Sequence, residues 1–192
     1  PPAMRLIVRA FDDENETVRN CAKTVLQTMD PADIAPILRE AARSPNERIR
    51  QRAAALLSTL PEEAADAVPA LAGGLTDADP QVRRDSARRL ADLGEKARGA
   101  IAPLVEATRD EDAEVRKYAV DAIGNLSTPA ADVRRALLER MSDTNLRVST
   151  AAADALGKTK PPAPEVVEAL KKAMSATHYA VRGHAAASLL GL

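Results

Sequence analysis

Aromatic residues are nearly missing from this 192-residue chain, which has one phenylalanine, two tyrosines and no tryptophan. A compact core of that size normally relies on large rings, so the 45% hydrophobic content must be packed in another way. Cys21 is the only cysteine. It excludes an internal disulfide, and with two scattered histidines it gives no zinc-ligand set, so no metal is expected. Its place three residues after Val18 predicts a small buried or half-buried hydrophobe. No apolar run approaches the ~18 residues of a membrane span, no signal peptide is recognisable, and alternating β-branched and polar runs are absent. The formal net charge of −1 offers no general attraction to nucleic acid or anionic membrane. Glycine-rich phosphate loops, nucleophile elbows and paired cysteines are also lacking, so neither a catalytic residue nor a cofactor is expected. No sequence signal fixes a compartment, and the cytoplasm is the default expectation.

What the chain has is a period. Val18, Ile49, Val82, Val115, Val148 and Val181 each head an alanine- and leucine-rich stretch, first 31 and then 33 residues apart. A fixed interval in that range marks stacked repeats. Three residues before these anchors stand Asn15, Asn46, Asp79, Asp112, Asn145 and His178, and all but the histidine are strong helix N-caps. Pro80 follows Asp79 at the first helical position, where proline is tolerated. Apolar residues then recur four, seven, eight and eleven places after the anchor, as in Val115, Ala119, Ala122, Ile123 and Leu126, which makes one buried helical stripe.

A second ladder precedes each stretch: Leu38, Leu71, Leu104, Leu137 and Leu170, with Ile34, Ala67, Ala100, Val133 and Val166 four residues earlier, and Ile7 joining under Leu38. Prolines at Pro31, Pro36, Pro61, Pro69, Pro103, Pro129 and Pro161 introduce or bend these shorter helices. Each unit is therefore a helical hairpin that cannot bury its apolar face alone. The units run over about 1–29, 30–60, 61–94, 95–127, 128–160 and 161–192.

The pattern is fullest in Ala102-Pro103-Leu104-Val105, Asp110-Glu111-Asp112-Ala113-Glu114-Val115-Arg116, Ala119 and Asp121-Ala122-Ile123-Gly124. It resembles the HEAT-like repeats of the phycobilisome-lyase type, a family widespread in bacteria. The resemblance covers the whole chain and implies an all-α fold, a right-handed α-solenoid of six HEAT-like helical hairpins. It also implies a stacking ladder between turn aspartates, here Asp13, Asp77, Asp110 and Asp143, and arginines after the anchor, here Arg19, Arg50, Arg83, Arg116 and Arg182. Ser44 and Ala176 depart from the aspartate column and Ser149 from the arginine column. Residues that repeat with the unit serve the unit, so these columns are read as structural rather than as a phosphate-binding stripe.

Function should lie where the units differ. Positions two, six and nine after each anchor point away from the core stripe, and in HEAT-like solenoids that face lines the concave surface. It carries Asn20 and Thr24, then Gln51, then Arg84 and Arg88, then Lys117 and Asp121, then Thr150 and Asp154. Either this face grips an acidic partner segment near the third and fourth units, or it is a solvated surface. Asp85 and Arg89, four apart in the third unit, are expected to pair along their helix.

Relatives that are iron-dependent hydroxylases use His–Glu pairs, and glycosylase relatives use groove aromatics; neither set is present here. The reading is a non-catalytic protein–protein interaction scaffold. The alternative is an adaptor, chaperone-like or bilin-lyase-like, acting on a cofactor-bearing protein. The third is backbone-only binding of nucleic acid through Arg84, Arg88, Arg89 and Lys117, against which the net charge argues. Pro1-Pro2-Ala3 resembles the Pro161-Pro162-Ala163 entry to an internal unit, and the last helix ends apolar. The chain is therefore expected to be a fragment of a longer protein, with end-to-end self-association when isolated.

Overall fold

The computed structural model describes residues 2–60, 63–126, 128, 130–159 and 161–192, with side chains from Leu6 onward. Pro1, Pro61 and Pro129, three of the prolines expected to open units, lie outside the described residues.

Twelve α-helices and no strand occur among the described residues. The first helices of the six hairpins are α1 (Pro2–Arg9), α3 (Pro31–Ala41), α5 (Val68–Gly74), α7 (Ile101–Ala107), α9 (Ala131–Arg140) and α11 (Pro164–Ala173). The second helices are α2 (Glu16–Gln27), α4 (Glu47–Leu57), α6 (Pro80–Leu93), α8 (Ala113–Gly124), α10 (Leu146–Gly157) and α12 (Tyr179–Gly191). The molecule is an α-solenoid in which each hairpin stacks on the next.

Local chemistry sets these boundaries. Asn15, Asn46, Asp79, Asp112 and Asn145 each accept a hydrogen bond from an amide in the first turn of the helix they precede, while His178 does not. Pro31 opens α3 and Pro36 sits inside it. Pro161 falls short of its expected role, because α11 begins at Pro164. At the end of α6, Gly94 adopts φ 52°, a left-handed conformation that glycine tolerates, and the chain passes into a 3-10 turn over Gly94–Ala100.

The first helices form an even ladder. Leu38, Leu71, Leu104, Leu137 and Leu170 are at most 1% exposed, and such burial contributes roughly 1.5–3 kcal/mol for each leucine. The second helices are uneven. Val115 and Val148 are fully buried, whereas Val18 is 38% exposed and Ile49 and Val82 are partly exposed.

The cause is the column seven residues after the anchor, which faces the preceding second helix. In α8, α10 and α12 it holds Ala122, Ala155 and Ser188. Gly124 and Gly157 lie so close to the following helix that an added Cβ would stand 2.5 Å from the Ala155 Cβ and 2.6 Å from the Ser188 Cβ. In α4 and α6 the same column holds Leu56 and Arg89. There α4 meets α6 at only a few points, and α2 and α4 make no comparable contact.

Cys21 is exposed rather than buried. Its column rests against a preceding second helix in later units, and none precedes α2 among the described residues.

Candidate functional site

Every arginine of the ladder column first binds its own turn. Nη1 donates to the carbonyls of Asp13 and Glu14 from Arg19, of Ser44 from Arg50, of Asp77 and Ala78 from Arg83, of Asp110 and Glu111 from Arg116, and of Ala176 and Thr177 from Arg182, at 2.7–3.3 Å. Two arginines also reach forward. Arg83 holds Asp110 through Nε at 2.8 Å and Nη2 at 3.3 Å, and Arg116 holds Asp143 through both groups at 2.9 Å. Such forked pairs are the strong form of a charged hydrogen bond.

The aspartates bind their turns as well. Asp13, Asp77, Asp110 and Asp143 accept from the amide two residues on, and Ser44 replaces the carboxylate with its hydroxyl at 3.1 Å. Burial opposes ionisation of Asp143. The Arg116 hydrogen bond, the Asn145 amide and the charges of Arg116 and Arg140 still hold its pKa below the ordinary value.

The remaining inter-unit rungs are corrected. In the unit after Arg19 the aspartate column holds Ser44, which has no carboxylate to offer. Arg50 and Asp77 do not pair because α4 and α6 diverge, and Arg50 turns to Glu47 at 3.5 Å instead. Arg182 has no following unit among the described residues.

The groove columns are also more occupied than their spacing implies. Asn20 and Thr24 are exposed on α2, where the Thr24 hydroxyl donates to the Asn20 carbonyl. Gln51 is drawn inward, donating to the Ala70 carbonyl at 3.2 Å. Arg84 reaches forward to Asp112, the cap of α8, at 2.5 Å and 2.9 Å. The Arg84 hydrogen bond, outweighing burial and aided by the Val115 and Glu114 amides, lowers the Asp112 pKa to about 2. Arg88 pairs with Asp85 at 3.1 Å, so the expected Asp85–Arg89 pair is not formed. Lys117 pairs with Asp121 at 2.6 Å and lies over the Tyr118 ring. The Thr150 hydroxyl donates to the Leu146 carbonyl, and Asp154 meets His184 at 2.8 Å. Between α8 and α10 these side chains border a cavity of about 310 Å³ that Lys117, Thr150 and Asp154 line.

A larger opening lies where α2, α4 and α6 stand apart, and Arg52, which spacing did not single out, lines it. One cavity of about 750 Å³ and another of about 360 Å³ share Arg52, Ala55, Asp85 and Arg89 as a common wall. Arg89 donates to the Ala55 carbonyl at 2.9 Å and the Ser58 hydroxyl at 3.2 Å, and Arg52 donates to the Phe11 carbonyl. Burial pushes the pKa of both guanidinium groups down. The charges of Arg19 and Arg48 add to this at Arg52, and that of Arg88 at Arg89. The sequence offered no signal for Arg52, because the other residues of its column three places after the anchor, Cys21, Asp85, Tyr118, Ala151 and His184, share no chemistry.

Among the described residues no group of His, Cys, Asp and Glu side chains is placed to hold a metal, and no helix is long and apolar enough to cross a membrane. The family model for HEAT repeats matches residues 3–91 and 101–191. No curated protein matches the sequence. A designed armadillo repeat protein in complex with the peptide (KR)4 is similar in structure, with TM-score 0.69, 19% identity and 98% of each chain covered. An engineered protein superposes with TM-score 0.67 at 20% identity, over 98% of this chain and 96% of that one. The complex of CpcE and CpcF of phycocyanin lyase from Nostoc sp. PCC7120 gives 0.60 at 24% identity, over 82% of this chain and 98% of that one. At these identities the likeness is one of fold.

Proposed function

Because the chain belongs to the HEAT-repeat family, we propose that it is a non-catalytic scaffold that binds a protein or peptide segment along the face of its second helices. The observation that carries this reading is the open row of second helices, whose outward columns are short or polar and border hollows from α2 to α10. A repeat array offers such a surface without the enclosed, converging side chains that catalysis requires. The reading is supported by the designed armadillo protein of similar fold, which is in complex with the peptide (KR)4. An acidic partner near the third and fourth units would have to compete with internal partners, since Arg84, Arg88 and Lys117 are engaged by Asp112, Asp85 and Asp121. Internal pairing also splits the basic group required for backbone binding of nucleic acid.

The test is peptide-display selection against the folded protein, with the selected peptides then titrated against two variants. Thr150→Trp fills the second-helix face and should weaken binding at least tenfold. Arg135→Trp, on an exposed side chain of α9, should leave it unchanged. The reverse pattern, or conversion of a bound peptide to a product, would overturn the reading.

A further inference from the structure

The opening at α4 and α6 is written into the sequence. Alanine in the same column of α8 and α10 lets the helices close, while Arg89 at this place keeps them apart. Arg52 and Arg89 are half-buried, and a guanidinium drawn out of solvent is costly unless its charge is met. Yet the partners of Arg89 are a carbonyl and a hydroxyl, and that of Arg52 is a carbonyl. Neither makes an ion pair among the described residues. Both therefore line the cleft as cations bonded only to neutral acceptors. At Arg52 the charges of Arg19 and Arg48 each act more strongly than that of Asp12, and at Arg89 the charge of Arg88 is set against those of Asp85 and Asp92. Asp85 borders both cavities; Asp12, Glu47, Asp77 and Asp79 line the larger one, which is acidic, whereas the smaller sets Arg19, Lys23, Arg52 and Arg89 against Glu16 and Asp85. Glu16 and Asp85 would repel a doubly charged phosphate more than a single carboxylate.

We propose that the smaller cavity of this opening, bordered by α2, α4 and α6, is a carboxylate-binding pocket, in which Arg52 and Arg89 take an acidic side chain of a bound peptide segment. The proposal rests on the second-helix face being the peptide-binding face and adds the chemistry that this face selects. The planar donor fork of each arginine suits a carboxylate. The acidic preference thus moves from the middle of the groove, where the charges are already paired, toward the second and third units.

The experiment titrates the whole chain with the peptide (EG)4, its uncharged counterpart (QG)4, a phosphoserine peptide and duplex DNA, following the arginine Nε–H resonances. Binding of (EG)4 should move the Arg52 and Arg89 signals, (QG)4 should not bind, and Arg52→Ala and Arg89→Ala should each weaken (EG)4 at least tenfold. Arg98→Ala, an exposed arginine paired with Glu95, serves as the unaffected control. Arg89→Gln, which keeps a donor without the charge, serves should the alanine variant fail to fold, and it too should lose (EG)4. Unchanged affinity in the Arg52 and Arg89 variants would overturn the proposal, as would tighter binding of the phosphoserine peptide or DNA. Display-selected peptides that depend on Thr150 but not on Arg52 or Arg89 would sink the carboxylate pocket and leave the scaffold reading standing.

Discussion

In the last three units α8, α10 and α12 lie against one another through Gly124, Ala155, Gly157 and Ser188, and their anchor valines are at most 7% exposed. In the first three units the anchors are open to solvent to varying degrees, and two arginines occupy the space between helices. The leucine ladder of the first helices is the same in both halves. One face of the repeat thus builds the stack at a fixed spacing. The column seven places after the anchor decides whether the opposite face closes or gapes. Tight contact gives rigidity, and its local absence gives a polar cleft, within one architecture.

The sharpest way to break this contrast is to exchange the column. Ala155→Arg would press a cation into a helix contact that has no room for a Cβ on the facing glycine. It should cost about 4 kcal/mol or more, or prevent folding, as read from the urea midpoint.

Next in size is the ladder. Arg116→Ala leaves the Asp143 carboxylate, whose side chain is 3% exposed, with only Arg140 at 3.4 Å and the Asn145 amide, and should cost about 2 kcal/mol. Arg50→Ala removes an arginine with no inter-unit pair and should cost about 1 kcal/mol. Lys117→Ala, beside Arg116 but on the groove, should stay within about 0.5 kcal/mol. Equal midpoints for the three would erase the distinction between the halves.

Acid should then weaken the closed half first. The pKa of Asp112 is lowered to about 2 and that of Asp143 lies below its ordinary value, so between about pH 4 and pH 2 the unfolded chain binds more protons than the folded one. The stability linked to these groups is complete above the ordinary carboxylate pKa and is lost as the pH falls through the folded values. Asp112→Asn should reduce the fall in urea midpoint between pH 5 and pH 2.

The smallest effect is expected from the reverse exchange. Arg89→Ala removes a partly desolvated cation and places there the small residue found in the last three units, so the midpoint should move by no more than about 0.5 kcal/mol. A loss of several kcal/mol would mean that Arg89 holds the array together rather than holding it open.

The period, the caps at Asn15 through Asn145 and the leucine ladder were all legible in the sequence, because each depends on local chemistry repeated at a fixed interval. The inter-unit rungs were legible only in part. Arg50 and Asp77 have the right identities, yet pairing needs their units to stack closely, and that is set by Arg89 on another helix. The groove residues were located, but their partners were not: Arg84 with Asp112 and Asp154 with His184 each join different units, 28 and 30 residues apart. Arg52 was missed because its column shows no regularity to depart from.

The inward bond of each ladder arginine has a consequence for how such a chain grows. Since Nη1 closes the turn of its own hairpin whether or not a neighbour follows, every unit except the fifth, which has Ser149 in that column, carries this fastening with it. Duplicating or deleting a whole 33-residue unit would leave each remaining turn tied and alter at most one forward contact. Gene-level recombination in multiples of one unit should therefore be tolerated far better than an insertion of a few residues inside a hairpin.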